Sequence, residues 1–410
     1  MKSQKPFYIR NTCRCCDSSE LKMVLPMEPS PPGDEYLDSP DLEPSPLAPM
    51  DVWQCQQCGH AQLRCVYDPD VLYGNFSYET QISLGLDRHF DGYASEAISV
   101  ANLKPNDFVV DIGSNDGTLL SRFKSKGLKV LGIDPAKQAA ESAEKRGVET
   151  WIKYFDKNTA EEILKKKGSP SLITSNNTFA NIDNLKAFID SIRHLMNEKS
   201  TFVMETGYGP AIAEKGLFET IYHEHLGYFG LGDLLHLMRS SDLDLIDASI
   251  NNSKQGCVRA YFKKSSKQSI LDTCPILRAE ISSKYKNGQS WLELGKKITK
   301  ERAKTKKYLE NEANRLASFG ASVGSTTFIL NMGLQDHLGC LYDDNPKKIG
   351  KYSPVKKIPV LKYDKDESEN TTIIINSWRY AGAILENHGG GKGTKWISVW
   401  HQLQIYEKNI

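Results

Sequence analysis

No stretch of the 410 residues approaches the roughly 18 consecutive apolar residues of a membrane span. The opening Met-Lys-Ser-Gln-Lys-Pro-Phe-Tyr lacks the apolar core of a secretory leader. A soluble cytoplasmic protein is the expectation, with a monomer or weak homodimer as its state. Charge of one sign is missing too. With 52 basic and 51 acidic residues the formal net charge is +1, so no broad basic face for nucleic acid is signalled. Internal repeats and low-complexity tails are absent. Cysteine is scarce beyond residue 66, where only Cys257, Cys274 and Cys340 occur, far apart.

What is present is unevenly distributed. Six of the nine cysteines fall before residue 66. Without a leader, clustered cysteines point to a metal more than to disulfides. Cys13-x-x-Cys16 and Cys55-x-x-Cys58-Gly-His60 offer four thiolates in two short hooks, which suits tetrahedral zinc with bonds of about 2.3 Å. Four thiolates fill the zinc shell, so the ion is expected to be structural. Cys15 and His60 are possible substitutes. The 38 residues between the hooks are rich in proline, Pro26, Pro31, Pro32, Pro40, Pro44, Pro46 and Pro49 among them, and are expected to form a loop with little regular structure.

From residue 67 to 265 short apolar runs alternate with helical patterns, the signature of a doubly wound parallel sheet. Residues 108–113 read as a buried strand and 118–126 as a helix. Residues 129–134 read as a second strand, and 135–146 as a helix with Pro135 in its first turn and Ala139, Ala140 and Ala143 on one face. Residues 171–175 and 201–205 are further strands. A long charged helix is expected over 291–317, within a connector of residues 266–317 that is otherwise read as linker. A second α/β unit follows over 318–410, with strand-length apolar runs at 327–330, 371–375 and 396–399.

The first strand ends in Asp111-Ile-Gly113-Ser-Asn115-Asp116-Gly117, a glycine turn that opens a helix. Twenty-one positions after Gly113 the second strand ends at Asp134, placed to accept hydrogen bonds from ribose hydroxyls. The turn is not Gly-x-Gly-x-x-Gly, and its acids are ill suited to a pyrophosphate. They suit a sulfonium, so S-adenosylmethionine is expected rather than a nicotinamide dinucleotide. Asp111, Gly113, Asn115, Asp116, Gly117, Asp134, Pro135 and Asn176 are the candidate cofactor residues. A further cluster, Tyr222-His223-Glu224-His225, follows a strand end and a glycine-rich turn, where a doubly wound sheet presents ligands.

Tyr222-His-Glu-His-Leu226, with Met204-Glu-Thr-Gly-Tyr208 before it and Tyr342-Asp-Asp-Asn-Pro-Lys-Lys-Ile-Gly-Lys-Tyr352 near the end, resembles the sugar C-methyltransferases that act on nucleotide-linked keto-deoxysugars. Tyr78 ahead of His89 and Tyr93 adds to the likeness. The resemblance spans nearly the whole chain. It implies an N-terminal zinc-binding module (1–66), a class I methyltransferase Rossmann-like domain (67–265) and a C-terminal Rossmann-like domain (318–410). It also implies methylation of a ring carbon, carbon 3 of a 4-keto-6-deoxysugar, through an enolate. His225 would be the base, Glu224 and Tyr222 would orient it or bind the sugar, and Tyr78 would close over the substrate.

Asn181 stands where the family often has histidine, and Gly320-Ala-Ser-Val-Gly-Ser-Thr-Thr327 lacks the lysine usual in that turn. Two other readings remain at this point: a zinc-containing RNA methyltransferase, and an inactive sugar-nucleotide-binding protein. Two outcomes are expected from the sequence. Cys55→Ser should lose zinc and solubility together, checked by metal content. Asp134→Ala should weaken S-adenosylmethionine binding by roughly 1.5–3 kcal/mol, checked by calorimetry.

Overall fold

A computed structural model describes residues 6–73, 86–264, 274–401 and 403–406. Tyr78 lies outside the described residues. The cysteine-rich segment forms β1 (Phe7–Ile9), β2 (Leu21–Leu25), β3 (Val52–Cys55), β4 (Ala61–Leu63) and β5 (Cys65–Tyr67), followed by the short α1 (Pro69–Tyr73). β1 pairs with β5, while β2, β3 and β4 make an antiparallel meander.

Next come α2 (Leu86–Ala101), β6 (Phe108–Ile112), α3 (Thr118–Ser125), β7 (Lys129–Asp134), α4 (Lys137–Lys145), β8 (Thr150–Ile152), α5 (Lys157–Lys167), β9 (Leu172–Asn176), α6 (Leu185–Leu195), β10 (Thr201–Gly207) and α7 (Gly209–Lys215). β11 (Gly227–Tyr228), α8 (Leu231–Arg239), β12 (Leu243–Asn251) and β13 (Cys257–Lys264) complete this region. Seven of these strands form one sheet in the order β12-β13-β10-β9-β6-β7-β8. All run parallel except β13, which is antiparallel to both neighbours. This is the strand order of class I methyltransferases. β6, β7, β9 and β10 are largely buried, as a sheet covered on both faces requires, while β8 lies at the half-exposed edge. Ala139, Ala140 and Ala143 are the buried face of α4. Pro135 is exposed and precedes that helix, so it is not in the first turn.

The remaining elements are α9 (Pro275–Ile281), α10 (Gln289–Leu309), β14 (Arg315–Phe319), α11 (Val323–Met332), β15 (Cys340–Tyr342), β16 (Val360–Leu361), β17 (Thr371–Ile375), α12 (Ala381–His388), β18 (Lys395–Ser398) and β19 (Gln404–Tyr406). Their sheet runs β16-β15-β14-β17-β18-β19, parallel but for β19.

Three readings need correction here. The helix expected over 291–317 stops at Leu309, and Leu316 belongs to β14. Residues 327–330 are helical: Ser322 and Ser325 form a reciprocal capping box that starts α11 just ahead of them. The stretch read only as linker contains α9, whose Glu280 accepts hydrogen bonds from the backbone of Leu231 and Gly232 at the start of α8.

The units do not fold as separate beads. β11 pairs with β4 and so completes the sheet of the cysteine module. The proline-rich segment is a strap over the C-terminal unit: Leu37 bridges Tyr352, Thr326 donates to the Gly33 carbonyl, and Lys348, Lys351 and Lys357 meet Asp34, Asp38 and Glu43. One apolar core contains Val24 and Leu63 of the module, Phe218 and Ile221 of the middle region, Trp291 of α10, and Phe328 and Trp400 of the C-terminal unit. No helix among the described residues is long and apolar enough to cross a membrane.

Candidate active site and metal centre

The two cysteine hooks converge. The sulfurs of Cys13, Cys16, Cys55 and Cys58 all lie within 4.8 Å of one another, with Cys13–Cys58 and Cys16–Cys55 both at 3.5 Å. A tetrahedron with bonds of about 2.3 Å has edges of about 3.8 Å, so the four thiolates fit zinc. Behind them His60, fully buried, holds Asp233 of α8 at 2.6 Å through Nδ1. Cys15, between the ligands Cys13 and Cys16, is buried against this pair rather than in the four-sulfur set. Arg14, wholly buried, bonds Asp183 through Nε at 3.0 Å and the Leu63 carbonyl through Nη1 at 2.5 Å. The metal hook is thereby tied to the loop that follows β9.

In the seven-stranded sheet the strand order reverses between β6 and β9, and a ligand crevice is expected at their carboxyl ends. Asp111, Asp134 and Asn176 stand at the ends of β6, β7 and β9. Burial pushes the Asp111 carboxyl up to about 7, against a hydrogen bond from Thr174. Asp134 is raised by burial as well, and its carboxylate accepts from the backbone N–H groups of Asn115 and Ala136, both at 2.8 Å. It therefore organises both turns that frame the crevice. Gly113 takes φ 77°, and a Cβ there would run into Thr178. An acid-lined crevice behind a glycine turn suits a ligand with a cationic centre.

Two candidate cofactor residues are placed otherwise. The Asp116 carboxylate points inward to Thr118 N and Oγ1, with Arg146 3.7 Å away, so it holds the start of α3. Gly117 allows α4 to approach: a Cβ would lie 3.0 Å from that of Ala143.

The chain from Phe218 to Phe229 crosses this edge of the sheet. Leu226 N donates to the Ala180 carbonyl at 2.7 Å, which sets the His225 segment beside the turn that ends at Asn181. His225 Nδ1 is 2.8 Å from the Thr220 carbonyl. A carbonyl only accepts, so Nδ1 carries the proton and Nε2 keeps its lone pair. Burial holds the imidazole pKa down at about 4, more than the Thr220 bond raises it, so the ring is neutral at pH 7. Tyr222 lies over it, ring centres 4.1 Å apart.

Glu224 does not orient His225, which leaves contact with the sugar as its expected role. It is buried, and the charges it senses are Asp34 and Lys348, while the ring nitrogen of His225 is held by Thr220 instead. His223 is buried against Tyr67 and is likewise held near pKa 4 by burial.

Sequence reasoning missed a network at the end of β10. The fully buried Glu205 holds His89 Nε2 at 2.6 Å, Arg259 Nε at 2.8 Å and Asn251 Nδ2 at 2.8 Å. Burial alone would raise its carboxyl, but His89 and Arg259 outweigh it and hold the group below the usual range. An acid ending a buried apolar strand, Phe202-Val-Met-Glu205, was the available signal.

Sheet order and crevice define a class I methyltransferase. Residues 13–73 match a zinc binding domain, 86–248 a methyltransferase domain, and 252–399 a C-methyltransferase C-terminal domain. The last of these begins inside the seven-stranded sheet, ahead of β13. The C-methyltransferase NovU of Streptomyces niveus is 26% identical over 383 residues, covering 92% of this chain and 91% of that protein. Among solved structures, an S-adenosylmethionine-dependent methyltransferase from Clostridium acetobutylicum is 13% identical with a TM-score of 0.36, covering 48% of this chain and 96% of its own. Magnesium protoporphyrin IX methyltransferase from Synechocystis is 12% identical with a TM-score of 0.35, covering 48% and 89%. Taken together the three matches make this chain an S-adenosylmethionine-dependent C-methyltransferase with an N-terminal zinc-binding domain. S-adenosylmethionine is its cofactor and zinc its metal.

The buried acid Glu224 gives a prediction. Its folded pKa of about 7 lies above the ordinary 4.5, so its contribution is complete below pH 4.5 and is lost as pH rises through 7. Glu224→Gln should therefore gain roughly 3 kcal/mol of stability at pH 8 and nothing at pH 4. Urea unfolding at the two pH values checks this. His223 and His225 act oppositely, with stability complete above pH 6.5 and lost as pH falls towards 4.

Proposed function

We propose that this C-methyltransferase acts on carbon 3 of a nucleotide-linked 4-keto-6-deoxysugar. The observation that carries the reading is the neutral His225, its Nδ1 proton committed to Thr220, which leaves the lone pair on Nε2. The ketone acidifies the hydrogen on the neighbouring carbon. His225 Nε2 takes that proton, and the electron pair moves onto the ketone oxygen. Tyr222 packs its ring against the imidazole, tilted by 31°, and helps to hold it in place. The Asn181 side-chain amide, beside the His225 segment, donates a hydrogen bond to the developing oxyanion. Asn181 has no proton to exchange, so proton removal falls to His225 alone.

The cofactor, when bound, supplies a methyl group made electrophilic by its sulfonium charge. Asp111, Asp134 and Asn176 at the ends of β6, β7 and β9 supply the acidic and hydrogen-bonding surround that suits it, with Gly113, Asn115 and Pro135 shaping the turns. The four cysteines hold zinc away from the reaction, since a full thiolate shell leaves no open position. Glu224 is buried with its Oε2 unpartnered, within the electrostatic reach of Asp34 on the strap and Lys348 of the C-terminal unit. Tyr78 is proposed to cover the substrate. The likeness of Tyr222–Leu226 and Tyr342–Tyr352 to sugar C-methyltransferases supports the acceptor class. Near-neutral charge and the lack of a base-stacking basic groove in the sequence disfavour RNA.

The test is methyl transfer from labelled cofactor to a panel of nucleotide-linked 4-keto-6-deoxysugars with the nucleotide varied. Label on a ring carbon is expected. His225→Ala should abolish transfer while cofactor affinity stays within about twofold. Binding of cofactor without transfer to any panel member would sink the acceptor class.

A further inference from the structure

The glycine turn of the C-terminal unit raises a question of its own. After β14, Gly320-Ala-Ser322 leads into α11, with Asp343 at the end of β15 accepting from Ala321 N at 2.6 Å. A turn of this kind at the carboxyl edge of a doubly wound sheet ordinarily presents its helix N-terminus to a phosphate. Here the protein's own backbone lies against it. A Cβ on Gly324, in the first turn of α11, would sit 2.9 Å from the Glu219 carbonyl oxygen.

That contact is one of a series. The Glu219 carboxylate, 5% exposed, pairs with Arg379 Nε at 3.1 Å, just beyond β17. Thr327 Oγ1 of α11 donates to the Ile221 carbonyl at 3.0 Å. Phe218 stacks on Phe328 at 5.6 Å and meets Trp400 edge-on at 4.6 Å. Trp400 Nε1, beyond β18, donates to the Gly216 carbonyl at 3.0 Å. The carboxyl edge of the second sheet thus grips residues 216–221 at nearly every position. The carbonyl in the centre of that grip, between the held residues 219 and 221, is that of Thr220, the acceptor of the His225 Nδ1 proton.

We propose that the C-terminal unit is a tautomer clamp for the active site. Thr327, Arg379 and Gly324 are positioning residues that fix the plane of the Thr220 carbonyl, and through it which nitrogen of His225 is left free. The Ile221 N–H, bonded to the Phe218 carbonyl at 3.0 Å, sets the tilt of that peptide within its turn, and the anchors on either side hold the turn in place against the ring. A carbonyl turned away from the ring would remove the reason for the proton to stay on Nδ1, and the imidazole would divide between both forms. The inference rests on the reading of His225 as the base, but its central observable does not need the substrate.

The experiment uses the full-length, zinc-loaded protein. Long-range proton–nitrogen spectra of the imidazoles resolve the tautomers of the nine histidines, and the signal lost in His225→Gln assigns His225. Wild type should show a single Nδ1–H form. Thr327→Val, which keeps shape and removes the hydroxyl, and Arg379→Gln should each show a mixture. Zinc content and S-adenosylmethionine affinity should stay at wild-type values. On the best substrate of the panel, kcat should fall roughly tenfold to a hundredfold with KM within about twofold. Thr327→Ser, which restores the donor in a smaller side chain, should recover both the spectrum and kcat.

A single Nδ1–H form in Thr327→Val and Arg379→Gln overturns the clamp, as does a Thr327→Ser variant as impaired as Thr327→Val, which would mean packing alone. Altered tautomers with no wild-type turnover on any sugar would leave the clamp standing and remove the substrate assignment instead.

Discussion

Every buried peptide group must find a partner, and the segment from Gly216 to Phe229 satisfies only a few of its own, in the turns at Leu217–Ile221 and Tyr222–His225. That requirement organises the molecule. Its carbonyls at Gly216 and Ile221 are satisfied by Trp400 and Thr327 of the C-terminal unit. Leu226 N and the Leu226 carbonyl go to Ala180, in the turn after β9, and to Leu63 of the zinc module. Gly227 and Tyr228 pair with β4. Three units therefore meet on one irregular stretch, and the histidine at its centre inherits its orientation from all of them. Its neutrality follows from the same enclosure, since the walls that bind the backbone also remove water from the ring.

The zinc site contributes at a distance. Two hooks from opposite ends of a 38-residue excursion are closed by one ion, which shortens the free loop and brings Arg14 to a fixed place. Arg14 then carries that order to Asp183, two residues beyond Asn181. Burying a guanidinium is costly unless it is paired, and Asp183 and the Leu63 carbonyl supply the partners. Zinc thus supports the loop that carries Asn181 and Asp183.

How far the sequence could lead depended on whether the signal was local. Strand ends at Asp111 and Asp134 were legible because a buried apolar run followed by a glycine turn is dictated within a few residues. The four cysteines were legible because thiol chemistry and spacing are diagnostic together. The run at 327–330 misled because four apolar residues fit a buried strand or a buried helix equally; the capping pair Ser322 and Ser325, with Gly320 before it, held the answer. The helix over 291–317 was overextended because Leu316 keeps the apolar spacing although Asn311 and Asn314 interrupt it. Glu224 could not be placed at all, since its surroundings, Asp34 and Lys348, come from segments remote in the chain.

The two-residue strand β11 has a wider consequence. It is the outermost member of the four-stranded sheet, and without it β4 would show an unpaired row of backbone donors and acceptors. Such an edge is a template for another chain. A fragment cut between the cysteine-rich segment and the methyltransferase sheet would leave one open edge on the first piece and an orphaned, largely apolar ribbon on the second. Both would favour self-association over folding. The apparent seam in the sequence is therefore not a place where the protein can be divided, and the order of its segments along the chain is a poor guide to its physical parts.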